Sequence, residues 1–380
     1  MKMRVNIISE ALAWDIQGQG VYTASLSLAE ALKKREELEV SINGRGLYDI
    51  AHLHTPGPYA ISRGMISGKR LIISAHVVPA SMIGSLVLSE FWVPLFSRYL
   101  RYYYNLADCV IAVTPKVKDE LEIFGVKAPI VVVPNPVNLE RFYPDPVKRK
   151  RTREKLGLSS SDFVVISSGQ IQPRKGVDIF IETAKRLPDM KFIWVGGQPF
   201  SVLTAGYIEL QEKIKNAPPN VIFTGIVPYE EMPDYYNAGD VFFFPSHQET
   251  FGMVIVESAS CGLPLLLRDL PEYKEPFGGW FIPVKNDEEF AEYLLRLKND
   301  KKFYMEYQSK ALQLAKHYSS DNVADRMVEI YKEVLNNPPR YKRDWITLEN
   351  VRKEGKKIWK FFKYSPINRR DEKTKSKPYF

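Results

Sequence analysis

Phe163-Val-Val-Ile-Ser-Ser-Gly-Gln-Ile-Gln-Pro-Arg-Lys-Gly-Val177 decides the fold of this chain. Phe163 to Ser167 is a short apolar run of strand length. Val177, Phe180, Ile181, Ala184 and Leu187 then recur at the spacing of one helix face. The unit is strand, turn, helix, and it repeats. Phe192–Val195, Val221–Thr224, Val241–Phe244 and Leu265–Leu267 read as further buried strands downstream. Upstream, Arg4–Ile8, Leu71–Ser74, Cys109–Val113 and Ile130–Val133 read the same way, with Val21, Ala24, Leu28, Ala31 and Leu32 marking a helix between the first two. Strands alternating with helices imply parallel sheets covered on both faces. The expected class is α/β: two doubly wound, Rossmann-like domains with an interdomain cleft, and ligands at the carboxyl ends of the strands.

The boundaries follow from the pattern. Residues 1–147 form the first domain and 148–318 the second, which begins in the basic stretch Lys148 to Lys155. A helix over 319–335 returns to the first domain, and 336–380 is a tail set off by Asn336-Asn-Pro-Pro. The length of 380 residues and 45% hydrophobic content suit two globular cores. No run of 18 apolar residues occurs; Met82 to Phe96 is interrupted by Glu90 and Pro94. Met1 to Ile8 reads as a strand rather than a signal peptide. Cys109 and Cys261 each sit in an apolar run and read as small buried hydrophobes. These features give the expectation of a cytoplasmic protein.

Charge is uneven. The 336–380 tail carries fourteen Lys and Arg against five Asp and Glu, a net +9, so the remaining 335 residues total −1 out of the overall +8. The basic character therefore concerns a partner surface and not the fold. A helix over 346–362 places Leu348, Val351, Gly355, Ile358 and Phe362 on one face and Lys353, Lys356, Lys357 and Lys360 on the other, with Trp359 beside them. An apolar face opposed to lysines favours an anionic lipid surface over nucleic acid. A second such element is Leu86 to Asn105. Seven of the fourteen residues from Phe91 to Tyr104 are aromatic, among them Trp92, with Arg98 and Arg101 interleaved. Rings mixed with arginines suit a membrane interface, and the alternative is a helix packed inside the fold.

Four constellations carry chemistry. In Glu249-Thr-Phe-Gly-Met-Val-Ile-Val-Glu257, Glu249 lies in a strand-to-helix loop and Glu257 lies inside an apolar helix. A buried acid there needs hydroxyl or amide donors, and a ribose diol would supply them. Arg174 and Lys175 with Gly176 at a helix amino end make an anion site, alternatively a solvated turn. The Walker spacing is absent. Gly18-Gln-Gly20 after the first strand lets backbone amides approach a phosphate or sugar, or is a tight turn, since no third glycine follows. His76 follows the strand Leu71–Ser74, while His52 and His54 follow another strand end. No D-x-D motif and no metal-spaced His/carboxylate cluster occurs, so no metal is expected, and Arg174, Lys175 and helix dipoles would neutralise a departing diphosphate.

On these residues the chain resembles the retaining glycosyltransferase family four, of GT-B fold, from Arg4 to about Leu335. The carriers are the Arg174-Lys175-Gly176 turn, Phe244-Pro245-Ser246, and the glutamate pair with Phe251-Gly252 between. The resemblance implies that Lys175 and its neighbouring cation hold a donor diphosphate and that Glu257 holds the ribose. Glu249 with the amides of Phe251, Gly252, Met253 and Val254 would hold the donor sugar. His76 would lie near the anomeric carbon and the Gly18–Gly20 loop near the phosphates. One position departs: Gln170 stands where many members have Arg, and Arg174 is the candidate to replace its charge, a question the sequence leaves open. Within the family the chain is most similar to glycosyl-diacylglycerol synthases, on Ser81-Met-Ile-Gly-Ser85, Tyr102-Tyr-Tyr-Asn105 with Ala107-Asp108, Arg174-Lys-Gly-Val-Asp178, Phe192-Ile-Trp-Val195 and Leu267-Arg-Asp-Leu-Pro-Glu-Tyr273. That likeness implies transfer of glucose or galactose from a UDP-sugar to monohexosyl-diacylglycerol or diacylglycerol, by a peripheral protein on the cytoplasmic face of a membrane. The rival expectations are a family-four enzyme of polysaccharide or glycan assembly, and a non-enzymatic nucleotide binder.

Overall fold

The computed structural model describes residues 2–16, 20–78, 89–197 and 207–341. Gly18 and the tail residues Lys356, Lys357, Trp359 and Phe362 lie outside them, as do the side chains of Phe91 and Trp92. Twelve strands are found among the described residues: β1 Met3–Ile8, β2 Leu38–Ile42, β3 Tyr48–Leu53, β4 Gly68–Ala75, β5 Cys109–Ala112, β6 Ile130–Val132, β7 Val164–Ser168, β8 Lys191–Val195, β9 Val221–Phe223, β10 Val241–Phe244, β11 Leu265–Arg268 and β12 Ile282–Val284. The helices of the first half are α1 Glu10–Ala13, α2 Gly20–Lys33, α3 Pro58–Ser67, α4 Ser89–Asn105 and α5 Pro115–Ile123. Those of the second are α6 Pro146–Lys155, α7 Val177–Arg186, α8 Tyr207–Lys215, α9 Met232–Ala238, α10 Met253–Ser260, α11 Pro271–Phe277, α12 Asp287–Asn299, α13 Lys301–His317 and α14 Ser320–Asn336.

The strands form two six-stranded sheets, ordered β2-β1-β3-β4-β5-β6 and β12-β11-β10-β7-β8-β9, and all pairings are parallel. Two doubly wound domains are therefore present, as expected. In the second sheet the strand order reverses between β7 and β10, so the loops leaving those two strands open the crevice of the switch point. Phe192, Trp194, Phe242, Phe243 and Phe244 are fully buried, as strands covered on both faces require. Ser27 of α2 meets Tyr229 at 3.3 Å between hydroxyls, and Lys116 of α5 reaches Glu272 of α11 at 3.2 Å, so the two halves touch.

Helix α14 crosses back to the first sheet. Its Val323, Ala324, Met327, Val328, Ile330 and Tyr331 pack in one buried cluster with Val5, Ile7, Leu28, Ile50 and Ile72. The basic stretch from Lys148 is helix α6. Its Arg149 and Arg153 pair with Asp240 at 2.6 and 2.7 Å, and Arg151 pairs with Asp234.

Two readings need correction. His52 is inside β3 rather than beyond it, because Tyr48–Leu53 pairs on both sides despite its Asp and His. The aromatic helix α4 does not turn all its rings outward. Tyr103 and Tyr104 are buried, and their hydroxyls donate to the carbonyls of Thr55 at 2.8 Å and Val77 at 2.5 Å. Tyr99 donates likewise to Pro56. Three tyrosines thus fasten the loops at the carboxyl ends of β3 and β4. Leu95, Arg98, Arg101 and Tyr102 remain exposed on the other side of the helix.

Candidate active site

Lys175 leaves β7 and Glu249 leaves β10, so the switch point brings them together. Lys175 first needs a sharp turn. Pro173–Lys175 is one turn of 3-10 helix, and Gly176 follows at φ 71° before α7 begins. A Cβ at Gly176 would stand 2.5 Å from the Pro245 carbonyl oxygen, so only glycine lets the two loops approach this closely. The Lys175 ammonium then forms an ion pair with Glu249, with both side chains about nine-tenths buried, and lies 5.2 Å from the centre of the Phe244 ring. Ser246 donates to the same carboxylate oxygen at 2.8 Å. Burial alone would raise the Glu249 carboxyl, but Lys175 and Arg174 outweigh it and hold it below the usual range. Burial lowers Lys175 to about 8 against the pull of Glu249, so both stay charged at neutral pH. Arg174 is aimed by neighbours: its Nε donates to Gln172 at 3.0 Å and a terminal nitrogen donates to the Gln248 carbonyl at 3.2 Å. Gln172 in turn donates to Gln170, the position lacking the usual arginine, at 2.8 Å.

Glu257 sits one turn into α10, whose amino end is set by Gly252 at φ 85°. Phe251, Met253 and Glu257 are buried, Gly252 and Val254 half-buried. One Glu257 oxygen accepts from the Tyr236 hydroxyl at 3.1 Å, while the other is buried with no protein partner among the described residues. Burial raises this carboxyl to about 7, against the hydrogen bond from Tyr236, the charge of Arg141 and a hydrogen bond from Tyr229. A buried carboxylate with a free oxygen is costly in the free protein. It is therefore a place where an incoming hydroxyl gains more than it would in water.

On the first domain, His76 is half-buried just past β4 and shares a 2.9 Å hydrogen bond with His54. Gly20 opens α2, and no atom of the described residues lies within 4 Å of where its Cβ would stand. The structure thus joins Lys175, Arg174 and Glu249 in one cluster, and puts Glu257 in the helix that follows. The sequence reading missed Ser246 and Gln172 as supports of that cluster, and Tyr236 as partner of Glu257. Only the requirement that a buried acid be partnered pointed toward such residues. Both cysteines are buried and free.

Paired doubly wound sheets of this kind occur in HepE of Anabaena, solved in complex with UDP-glucose. That structure matches with a TM-score of 0.68 at 19% identity, over 87% of this chain and 100% of that one. The protein thus has the GT-B fold. Two family descriptions match the chain, Glycosyltransferase Family 4 over residues 17–141 and Glycosyl transferases group 1 over residues 148–314. It is 34% identical over 339 residues to the alpha-galactosylglucosyldiacylglycerol synthase of Streptococcus pneumoniae, covering 87% of this chain and 90% of that protein. It is 25% identical over 305 residues to the processive diacylglycerol alpha-glucosyltransferase of Acholeplasma laidlawii, covering 78% and 89%. The chain belongs to glycosyltransferase family 4 and is a hexosyltransferase.

Proposed function

We propose that this enzyme transfers glucose or galactose from a UDP-sugar, with retention at the anomeric carbon, to a hydroxyl of monohexosyl-diacylglycerol or diacylglycerol. The observation that carries the donor half is the buried oxygen of Glu257 in α10, the helix that follows β10, which has no partner among the described residues and which a ribose hydroxyl would complete. The acceptor half is supported by the synthase from Streptococcus pneumoniae, similar over nine-tenths of its length. Arg174 and Lys175 take the diphosphate, and Lys175 then shares its charge between phosphate and Glu249. Glu249 and the amides of residues 251–254 hold the sugar, with His76 on the opposite wall and the Gly18–Gly20 loop near the phosphates. The leaving phosphate assists the incoming hydroxyl on the same face. Neutralisation by two cations and the amino end of α7 removes the need for a divalent metal. Purified protein offered both UDP-sugars and both lipids in excess chelator is expected to give an α-linked glycolipid, read by thin-layer separation and the anomeric proton coupling. A β-linked product, or loss of activity that metal restores, would show the reading to be wrong.

The cytoplasmic face of a membrane is the proposed location, and the exposed side of α4 supports contact with a membrane surface. Leu95 and Tyr102 are 63% and 64% exposed, and Arg98 and Arg101 flank them. No helix among the described residues is long and apolar enough to cross a bilayer, so attachment would be peripheral. Each basic residue near an anionic surface contributes roughly 1 kcal/mol. Replacing Arg98 and Arg101 by Ala is therefore expected to weaken binding to phosphatidylglycerol vesicles roughly 30-fold at low salt. Co-sedimentation unchanged by the double replacement would remove α4 from the contact.

A further inference from the structure

Three histidines line up at the carboxyl ends of β3 and β4. Parallel pairing sets His52 opposite Ile72 and Leu53 opposite Ile73. Alternation along the strand puts His52 and His54 on one face, with Ser74 and His76 on the matching face of the neighbour. The rings of His52 and His54 lie 4.4 Å apart, and those of His54 and His76 stack at 5.2 Å and 21°. His52 is saturated: Nδ1 meets the Tyr331 hydroxyl and Nε2 the Ser74 hydroxyl, each at 2.8 Å. His54 is 2% exposed; its Nδ1 meets His76 Nε2 at 2.9 Å, and its own Nε2 is buried with no partner among the described residues.

We infer that His54 is a positioning residue that holds His76 in its Nδ1–H form, so that His76 faces the reacting sugar as a hydrogen-bond donor. This rests on the proposed place of His76 beside the donor sugar. Burial keeps all three rings neutral. The 2.9 Å contact therefore holds one proton between two neutral rings. If His76 supplied it, the proton of His54 would sit on Nε2, a buried N–H without an acceptor. Buried orphan donors are rarer in folded proteins than buried orphan acceptors. If His54 supplies it from Nδ1, its Nε2 keeps only a lone pair. His76 Nε2 then accepts, and its proton moves to Nδ1. Tyr331 and Ser74 fix His52 against the far face of His54, so the His54 ring cannot turn over without breaking this packing.

Imidazole nitrogen-15 NMR of the wild-type protein without substrate tests the assignment, with His76 identified by loss of its signals in His76→Ala. The expected spectrum shows protonated Nδ1 and bare Nε2 on His76. This readout needs no donor or acceptor, so it stands apart from the choice of sugar or lipid. His54→Leu fills the space without a donor and is expected to lower kcat roughly ten- to hundredfold, with the donor KM nearly unchanged. His54→Asn keeps an amide N–H near the Nδ1 position and is expected to recover most of kcat. A purely packing role would instead make Asn no better than Leu. Protonated Nε2 on His76 in the wild type, or no rescue by Asn, overturns the inference.

Discussion

Lys175→Ala is expected to lower kcat/KM by two to three orders of magnitude. Ion pairs with both partners exposed, such as Lys150 with Glu154, contribute little. The Lys175–Glu249 pair is different, because both side chains are about nine-tenths buried. Removing one partner of a buried pair costs roughly 3–5 kcal/mol, since the other charge is stranded. Here the stranded group would be Glu249, beside the proposed sugar and diphosphate positions. Some of the loss would appear as instability, and thermal melting separates it. Adding Glu249→Gln to Lys175→Ala removes the stranded charge, so it should recover melting temperature without recovering turnover. A double variant with near wild-type kcat would show that the pair is scaffolding and takes no part in transfer.

Glu257→Ala is expected to raise the donor KM roughly 10- to 150-fold, the range for loss of a hydrogen bond to a charged group at about 1.5–3 kcal/mol. The same substitution should not destabilise the free protein at pH 8. The sign follows from the raised carboxyl, which burial moves to about 7 in the fold from the ordinary 4.5. A folded state that prefers the proton is most favoured below the unfolded value, and loses that advantage as pH rises through about 7. At pH 8 the wild type therefore carries the full cost of a buried, half-partnered carboxylate. A ribose hydroxyl donates to the ionised form, so UDP binding should release a proton near pH 6.5 and weaken as pH falls from 8 to 6. Calorimetry of UDP binding across that range checks this. Affinity independent of pH, together with unchanged donor kinetics in Glu257→Ala, would take Glu257 out of the donor site.

The two doubly wound halves were legible because apolar runs alternate with helical spacing from Arg4 through Leu267. The strands that escaped notice are short or mixed. β2 reads Leu-Glu-Val-Ser-Ile at a sheet edge and β12 is three residues including Pro283, while β3, which carries Asp49 and His52, was read as ending before His52. Glu257 was legible because an acid inside an apolar helix is a local conflict. Its partner Tyr236 and the meeting of Lys175 with Glu249, 74 residues apart, depend on strand order, which local pattern does not contain. Helix α4 misled for the same reason. Its composition suits an interface, but whether a tyrosine faces lipid or fastens a loop depends on where Thr55, Pro56 and Val77 lie in space.

Helix α14 has a consequence for how the protein is made. The first sheet is complete in sequence at Val132, yet the apolar face of Val5, Ile7, Ile50 and Ile72, which Leu28 and Leu32 of α2 cover in part, is completed by Val323 to Tyr331. A ribosome adding about 5–20 residues per second needs roughly 10–40 seconds to travel that distance. Through that interval the nascent first half keeps part of a hydrophobic face uncovered, and the His52 ring lacks the Tyr331 hydroxyl. Translation speed and chaperone supply thus bear on the yield of active enzyme, and a stop codon placed just before Val323 would spare every donor-site residue named above while leaving the first half unfinished.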